Sequence, residues 1–242
     1  MSAANVAPRF SSRWMMLLVM LGMAVGTGNI WRFPRIAATN GGGAFLVPWV
    51  IFLLTWSVPL LLCEFAMGKG ARRGPVGAFS ALIGEGWAWM GGWVVMCATF
   101  IMFYYTVVTG WCVRYFVAAV SGEVPGAEPG ALWTSYAGSW TAVLTMIVGL
   151  AIGLFVVARG ISGIEAAARV LMPALILLVV ALAVRAVTLP GAERGLAFLF
   201  TPDWSALGDS RIWLEALTQN AWDTGAGWGL ALAYATYMRA RE

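Results

Sequence analysis

The sequence of 242 residues contains no histidine, and only 11% of its residues are charged. The absence of histidine excludes mechanisms that need an imidazole as a base, metal ligand or pH switch. Because soluble domains carry about 25% charged residues, this chain is neither a soluble globular domain nor a disordered one. The three cysteines lie in apolar stretches without CxxC spacing, which favours buried packing over a metal site. They are Cys63, Cys97 and Cys112.

Hydrophobic residues make up 61% of the chain, with 14 Trp and 29 Gly. An apolar helix needs about 20 residues to cross the hydrocarbon core of a bilayer. Six apolar windows predict an all-α integral membrane protein, with residues 1–242 as a single transmembrane domain. The fifth window, residues 170–184, is shorter but can be extended to Val187, and the sixth is interrupted only by Asp223. The predicted spans are residues 14–38, 44–67, 87–119, 139–158, 166–187 and 212–238. Residues 9–25 also imitate a signal peptide, but the apolar run continues to Trp31 without a small-residue cleavage site.

The charged loops predict the orientation of these spans. The loops on one side carry nine basic and three acidic residues, and those on the other side carry six of each. The basic side is Arg9, Arg13, Lys69, Arg72, Arg73, Arg159, Arg169, Arg239 and Arg241. We therefore expect a multi-pass protein of the plasma (inner) membrane with both termini cytoplasmic. The basic residues are too scattered for a nucleic-acid surface. Part of the outer loop 189–211 is apolar enough for a short helix.

Two predicted spans contain glycine clusters that disfavour a continuous helix. Span one contains VGTGN (residues 25–29), and span six contains WDTGAGWG (residues 222–229). Each glycine costs about 1 kcal/mol of helix propensity relative to alanine. Unwound backbone is tolerated at membrane depth only where it lines a protein-enclosed cavity, and paired interrupted spans point to a transporter site. Close helix packing is the alternative, and Gly149 and Gly153 in span four fit it.

A second alternative concerns Asp223, because Asp223-Thr224-Gly225 spells the motif of aspartic proteases. Those enzymes need two carboxylates that share a proton. The sequence holds one copy of the motif, and the other acid within a predicted span is Glu64. A carboxylate within a membrane span is costly and is therefore a functional candidate in either interpretation.

The chain contains the motifs GMAVGTGNIWRFP (residues 22–34) and NGGGAF (residues 40–45). Through these motifs it resembles the neurotransmitter:sodium symporters, the family of the bacterial leucine transporter. The resemblance continues through further residues to the end of the chain. These are Pro48 and Trp49, EFAMG (residues 64–68), Tyr104, Tyr105, Trp111, GIE (residues 163–165), Met172 and Pro173, Gln219 and GWG (residues 227–229).

The resemblance implies a LeuT-like fold in which helices 1 and 6 unwind at mid-membrane. It also implies Na⁺ as the coupling ion, with no organic cofactor and no enzymatic activity. The implied sodium ligands are Gly22, Ala24, Val25, Asn29 and Asp223. The implied substrate site is Ala24, Thr27, Gly28, Tyr105, Trp222, Gly225 and Trp228. Arg32 and Trp222 correspond to an outer gate, and Arg13 resembles a cytoplasmic gate residue whose role Arg9 could share.

Two departures from the family pattern predict chloride-independent transport. Trp49 replaces a tyrosine of the chloride-dependent members, and Asp223 stands where Ser or Thr is usual. The carboxylate would supply the negative charge that chloride otherwise brings. Trp49, Gln219, Asp223 and Glu64 form the predicted charge network at the chloride position. Gly225, Trp222 and Trp228 favour a neutral, apolar or aromatic amino acid as the substrate.

The family usually has twelve spans, whereas this chain matches the first five-helix repeat plus helix 6. Helices 7–12 would complete both sodium sites, so three interpretations remain. The chain is a truncated product, it pairs with a second chain that carries the other half, or it is a non-transporting binding or regulatory remnant.

Overall fold

A computed structural model describes residues 8–26, 28–124, 126 and 128–239. The regular structure within these ranges is entirely helical, as predicted. The α-helices are α1 (Arg13–Ala24), α2 (Phe33–Thr39), α3 (Gly43–Phe52), α4 (Val58–Ala71), α5 (Pro75–Ile83), α6 (Ala88–Val120), α7 (Pro129–Ala137), α8 (Trp140–Val157), α9 (Gly160–Val187), α10 (Ala192–Phe200), α11 (Ser210–Thr224) and α12 (Leu230–Ala235). The π-helical segments are Gly28–Arg32, before α2, and Leu53–Ser57, between α3 and α4. The 3-10 turns are Glu85–Trp87 and Trp204–Gly208.

Within the described residues, four helical segments are long and apolar enough to cross a membrane, judged by length and composition. They are Gly43–Ala71, Glu85–Val120, Trp140–Val157 and Gly160–Val187. A fifth is the pair Arg13–Ala24 and Asn29–Thr39, which is bent by 55° at the glycine-rich break. The sixth predicted span, residues 212–238, is divided into α11 and α12, so its crossing remains a prediction.

The chain divides into two compact units. The first consists of residues 1–95 and 165–242 and contains both helix breaks. Its hydrophobic core joins α2, α3 and α11 through the buried residues Ile36, Ala37, Phe45, Ile212 and Ala216. This packing fixes α11 against α3 and thereby places polar groups of α11 beside Trp49.

Helices α4 and α12 of the first unit pack at a glycine. A Cβ atom added to Gly68 would lie 2.1 Å from the carbonyl oxygen of Leu232 and 2.7 Å from the Cβ of Ala235. Glycine is therefore required for this close approach. The packing holds α12 beside the helix that carries Glu64.

The second unit consists of residues 96–164. The Tyr136 hydroxyl and the Thr145 Oγ1 lie 2.7 Å apart, and the Trp111 and Trp133 rings meet edge to face at 4.9 Å. A Cβ on Gly149 would lie 2.9 Å from the Thr109 Cγ2, which fits the expected close packing. At Gly153 no described atom lies within 4 Å of that position, so the packing expectation does not extend to it.

Two short helices occur where the sequence analysis expected only connections. Helix α5 lies between the second and third predicted spans, and α7 lies between the third and fourth. Both begin with proline, whose fixed φ and missing N–H suit the first helical position. These two prolines were therefore available in the sequence as signals for the starts of α5 and α7. Helix α10 occupies the apolar part of loop 189–211 and confirms the short helix expected there.

The expected burial of the cysteines is wrong for two of them. Cys63 and Cys112 are exposed on the described chain, and Cys97 is intermediate. All three lie on helices long enough to span a membrane. Their small apolar side chains therefore suit an apolar surface as well as a core.

Candidate functional site

Helix α1 ends at Ala24, where hydrogen bonds of shorter sequence separation replace those of the α-helix. The Gly26 N–H donates to the Ala24 carbonyl at 3.1 Å, so the α-helical bond to the Gly22 carbonyl is replaced. The Asn29 N–H likewise donates to the Gly26 carbonyl at 3.2 Å instead of the Val25 carbonyl. The carbonyls of Gly22 and Val25 thus lose their α-helical donors. Both belong to the predicted sodium ligands.

The second break separates α11 from α12. Gly225, Gly227 and Gly229 have φ angles of 65°, 86° and 71°, in the left-handed region that favours glycine. A Cβ on Gly225 would lie 4.0 Å from the Met23 Cε of α1. The glycines predicted to unwind span six therefore do so, beside the break in α1.

Glu64 binds the backbone on the α12 side of this break. Its Oε1 accepts hydrogen bonds from the N–H groups of Gly227 (2.7 Å) and Gly229 (3.4 Å). Its Oε2 accepts from the N–H of Leu232 at 3.2 Å. The carboxylate is only 7% exposed, and it satisfies donors that the start of a helix leaves without partners.

Asp223 lies at the centre of a buried polar network. Its Oδ1 accepts from the Gln219 Nε2 at 2.6 Å, and its Oδ2 accepts from the Trp49 Nε1 at 3.1 Å. Arg32 in turn donates from Nη1 to the Gln219 Oε1. Asp223 is 4% exposed and Gln219 is fully buried. A guanidinium and a carboxylate are thus linked through one oriented amide.

The predicted charge network is therefore assembled in part. Trp49 and Gln219 each donate a hydrogen bond to Asp223, and Arg32 joins the network through Gln219. Glu64 makes its hydrogen bonds with the backbone of residues 227–232 instead. The reason is that Glu64 lies on α4 beside α12, whereas Trp49 lies on α3 beside α11. This arrangement also removes the basis for a protease interpretation, since the carboxylate of Glu64 is committed to backbone N–H groups.

Asn29 connects the two breaks. Its Nδ2 donates to the Asp223 carbonyl at 3.4 Å, while its Oδ1 is buried without a hydrogen-bond partner among the described residues. An unsatisfied buried acceptor costs about 1–3 kcal/mol, so such atoms call for an explanation. The oxygen lies at a glycine-rich break, next to the residue that bears a buried carboxylate. An unpartnered amide oxygen of this kind is a suitable ligand for a hard cation such as Na⁺.

Aromatic side chains flank the second break. The rings of Trp222 and Trp228 meet edge to face at a centroid distance of 5.5 Å, and both are half-buried. The Arg32 guanidinium lies 5.8 Å from the centroid of the Trp222 ring, within cation–π range. Gly225, which lacks a side chain, lies between the two tryptophans in the sequence. These predicted substrate and gate residues are therefore close together.

Three predicted site residues are not part of this assembly as described. Thr27 lies outside the described residues. Tyr105 is half-buried on α6 in the second unit, and its predicted contact with substrate remains a prediction. Arg13 is exposed at the first position of α1, and its gate role also remains a prediction.

Other residues tie the N-terminal segment to the helix ends of the first unit. Phe10 is 1% exposed and lies between the rings of Tyr234 and Tyr237, at 6.5 and 6.3 Å. The Glu165 Oε1 accepts from the Ser11 N–H at 2.7 Å. The sequence analysis missed these contacts, although a phenylalanine among basic residues at the start of the chain was a usable signal.

Two arginines complete this end of the unit. The Arg239 Nε donates to the Phe10 carbonyl at 3.3 Å, and its Nη2 donates to the Ser11 carbonyl. The Arg72 Nη1 donates to the Thr236 carbonyl at 2.9 Å and to the Met238 carbonyl. The Arg72 bonds satisfy carbonyl groups just after α12, where a cation is favoured, and the Arg239 bonds join that end of the chain to the segment before α1.

Sequence reasoning also missed Asn220 and Ser57, which are both fully buried. The Asn220 Nδ2 donates to the Trp49 carbonyl at 2.9 Å and to the Ala216 carbonyl at 3.1 Å. The Ser57 Oγ donates to the Asn220 Oδ1 at 3.0 Å. The spacing of Asn220 three residues before Asp223 places both on one face of α11, and that was the available signal.

Comparison with known proteins gives a consistent result. The chain matches the family model of the sodium:neurotransmitter symporter family over residues 7–141 and 132–242. It is similar to an uncharacterized sodium-dependent transporter of Methanocaldococcus jannaschii, with 34% identity over 95% of this chain and 49% of the relative. It is also similar to the inactive sodium-dependent neutral amino acid transporter B(0)AT3 of Homo sapiens, with 31% identity over 97% of this chain and 42% of the relative.

A solved structure agrees with these relatives. The crystal structure of MhsT in complex with L-phenylalanine matches with a TM-score of 0.88 and 34% identity, over 97% of this chain and 55% of that chain. The all-helical, LeuT-like fold expected from the sequence is thereby confirmed. The chain spans about half the length of the relatives that it matches.

Proposed function

Because the chain belongs to the sodium:neurotransmitter symporter family, we propose that it forms the ion- and substrate-binding part of a sodium-coupled amino acid symporter. The family consists of transporters and not of enzymes, and the chain is a multi-pass membrane protein. We assign it to the plasma membrane with both termini cytoplasmic, since nine of the fifteen basic residues fall in the loops of that side.

The single observation that carries the sodium site is the unpartnered, buried Oδ1 of Asn29. A cation would satisfy this oxygen. The same break offers the carbonyls of Gly22 and Val25, whose α-helical donors are replaced, and the carbonyl of Ala24. Such oxygens at an interrupted helix are suitable ligands for Na⁺.

Asp223 supports chloride-independent coupling. Its buried carboxylate is held by donors from Gln219 and Trp49, and its own carbonyl contacts the Asn29 side chain. A fixed negative charge beside a sodium site offsets the cation strongly, because effective dielectric constants are low in the protein interior. The carboxylate thus takes the place that a chloride ion would fill.

The substrate is a neutral amino acid with an apolar or aromatic side chain. Trp222 and Trp228 supply an aromatic wall, and Gly225 leaves room beside them. The substrate carboxylate would meet the N–H groups near Thr27 and Gly28, at the positive end of the outer half-helix, with Tyr105 as a further donor. L-Phenylalanine, which the solved relative MhsT holds, is of this class.

Outward access is controlled by Arg32 and Trp222. The guanidinium lies over the Trp222 ring and donates a hydrogen bond to Gln219. The two gate residues are therefore next to each other and next to the polar network of Asp223. Helices 7–12 of the family fold would supply the remaining ligands, either in the same polypeptide or in a second chain.

Uptake of L-phenylalanine and ²²Na⁺ into proteoliposomes tests this function, with the full product of the native reading frame. We expect uptake that requires Na⁺ and is unchanged when gluconate replaces chloride. Asn29→Ala should raise the half-saturating sodium concentration about tenfold or more, the equivalent of one interaction with a charged group. Asp209→Asn serves as the control, because this exposed residue caps the start of α11, at the opposite end of the helix from the break. Absence of sodium-dependent binding and uptake would favour the non-transporting remnant instead.

A further inference from the structure

Helix α11 holds Trp49 at two points. The Asn220 Nδ2 donates to the Trp49 main-chain carbonyl at 2.9 Å, and the Trp49 indole Nε1 donates to the Asp223 Oδ2 at 3.1 Å. Asn220 and Asp223 are three residues apart, so they project from one face of α11. The main chain and the side chain of one tryptophan are therefore both fixed by the helix that carries the carboxylate.

The Trp49 carbonyl is available to Asn220 because the helix changes type at this point. The π-helical segment Leu53–Ser57 follows directly, and the Leu53 N–H is shared between the carbonyls of Trp49 and Val50. Asn220 supplies the Trp49 carbonyl with a second donor. Such π-segments are frequent at functional sites.

Ser57 fixes the orientation of the Asn220 amide. Its hydroxyl donates to the Asn220 Oδ1 at 3.0 Å, and this hydrogen bond leaves the Nδ2 directed at the carbonyls of Trp49 and Ala216. Ser57 and Asn220 are both fully buried. Buried polar groups with all partners in place rigidify their surroundings, whereas a partly satisfied network is costly.

We propose that Asn220 and Ser57 are positioning residues that hold the Trp49 indole against Asp223 and so fix the carboxylate for the cation. This inference rests on the proposed function, in which Asp223 is a sodium ligand. Gln219 orients the other carboxylate oxygen from the same helix. Each carboxylate oxygen thus accepts a hydrogen bond from a neutral donor, the indole of Trp49 or the amide of Gln219. Loss of the Asn220 amide would leave the Trp49 carbonyl with the shared Leu53 N–H alone, and the indole could then shift away from Asp223.

The test measures the sodium concentration for half-maximal L-phenylalanine uptake in the proteoliposomes described above. Asn220→Leu should raise this concentration about two- to tenfold, the value of one hydrogen bond. The maximal rate at saturating sodium should be unchanged. Thr145→Val is the matched control, since it removes a buried hydroxyl from the second unit and should leave the sodium dependence unaltered.

A double-variant comparison distinguishes positioning from general packing. If Asn220 acts through the indole, Trp49→Phe combined with Asn220→Leu should raise the half-saturating sodium concentration no further than Trp49→Phe alone. Additive effects would overturn the inference. If Asn220→Leu fails to fold, Ser57→Ala provides the same measurement with a smaller expected rise, and an unchanged sodium dependence would overturn the inference.

The outcome for the wild type separates the proposed function from the positioning role of Asn220. Sodium-dependent uptake by the wild type, together with an unaltered Asn220→Leu variant, overturns the positioning role alone. A wild type without sodium dependence overturns the proposed function and, with it, this inference.

Discussion

Trp49 donates its indole N–H to the carboxylate of Asp223 at 3.1 Å, across 174 residues of sequence. At both positions the family resemblance predicted a departure from the chloride-dependent members. The structure shows that the two side chains are hydrogen-bond partners. A carboxylate without a hydroxyl ligand needs another donor, and the indole supplies it. Trp49 and Asp223 are therefore best understood as one paired substitution.

The first prediction concerns chloride. The double variant Trp49→Tyr/Asp223→Ser removes the fixed negative charge and places hydroxyl groups at both positions. We expect its amino acid uptake to require added chloride, because an anion must then offset the sodium charge. Uptake is measured at constant sodium while gluconate is replaced by chloride. Asp209→Asn should remain insensitive to this exchange, and chloride-insensitive uptake by the double variant would contradict the assignment.

The second prediction concerns the ion pair of the second unit. Arg114 donates to both carboxylate oxygens of Glu123, at 2.9 and 2.7 Å. This hydrogen bonding holds the pKa of Glu123 below its usual value. Arg114→Gln should therefore raise the pKa of Glu123 toward the ordinary value, as measured by ¹³C NMR of labelled carboxylates.

The sign of the linked stability effect follows from this lowered pKa. The contribution of Glu123 is present above its unfolded-state pKa and is lost as the pH falls through its folded-state pKa. Because the pair is solvent-exposed, the effect on stability should be small. Asp203 is an internal control, since its pKa is lowered by the Ser205 hydroxyl and should not respond to Arg114→Gln. An unmoved Glu123 titration would contradict the prediction.

The third prediction concerns Glu64, whose carboxylate accepts three backbone N–H groups at the start of α12. Glu64→Gln removes the charge and one acceptor oxygen, so at least one buried N–H loses its partner. We expect the free energy of unfolding to fall by about 1–3 kcal/mol, measured by SDS titration in detergent micelles. Glu85→Gln is the control, because Glu85 is exposed at the start of a 3-10 turn. Equal stability of the two variants would show that Glu64 does not hold α12.

Sequence patterns predicted the features of this site that are local. The breaks at residues 25–29 and 225–229 follow from clustered glycines, and the positive φ angles of Gly225, Gly227 and Gly229 confirm the physical reason. Pairings between distant segments were not readable in this way. The contact of Ser57 with Asn220 spans 163 residues and has no short-range signal. Glu64 was recognised as a costly intramembrane acid, but its partners depend on the packing of α4 against α12, which the sequence does not specify.

The last prediction tests that packing. Gly68→Ala would place a methyl group 2.1 Å from the Leu232 carbonyl oxygen, so α4 and α12 must move apart. Overpacking of this kind costs about 1–3 kcal/mol and occasionally more. Gly70→Ala lies on the same helix with no atom within 4 Å of the new methyl group, and it should be neutral or stabilising by up to about 1 kcal/mol. The free energy of unfolding of both variants is measured by SDS titration.

The separation of α4 from α12 should also weaken the hydrogen bonds of Glu64 to residues 227–232. Gly68→Ala combined with Glu64→Gln should therefore lower the free energy of unfolding by less than the sum of the single changes. Equal effects of the two glycine variants would show that α12 does not pack on α4 as described.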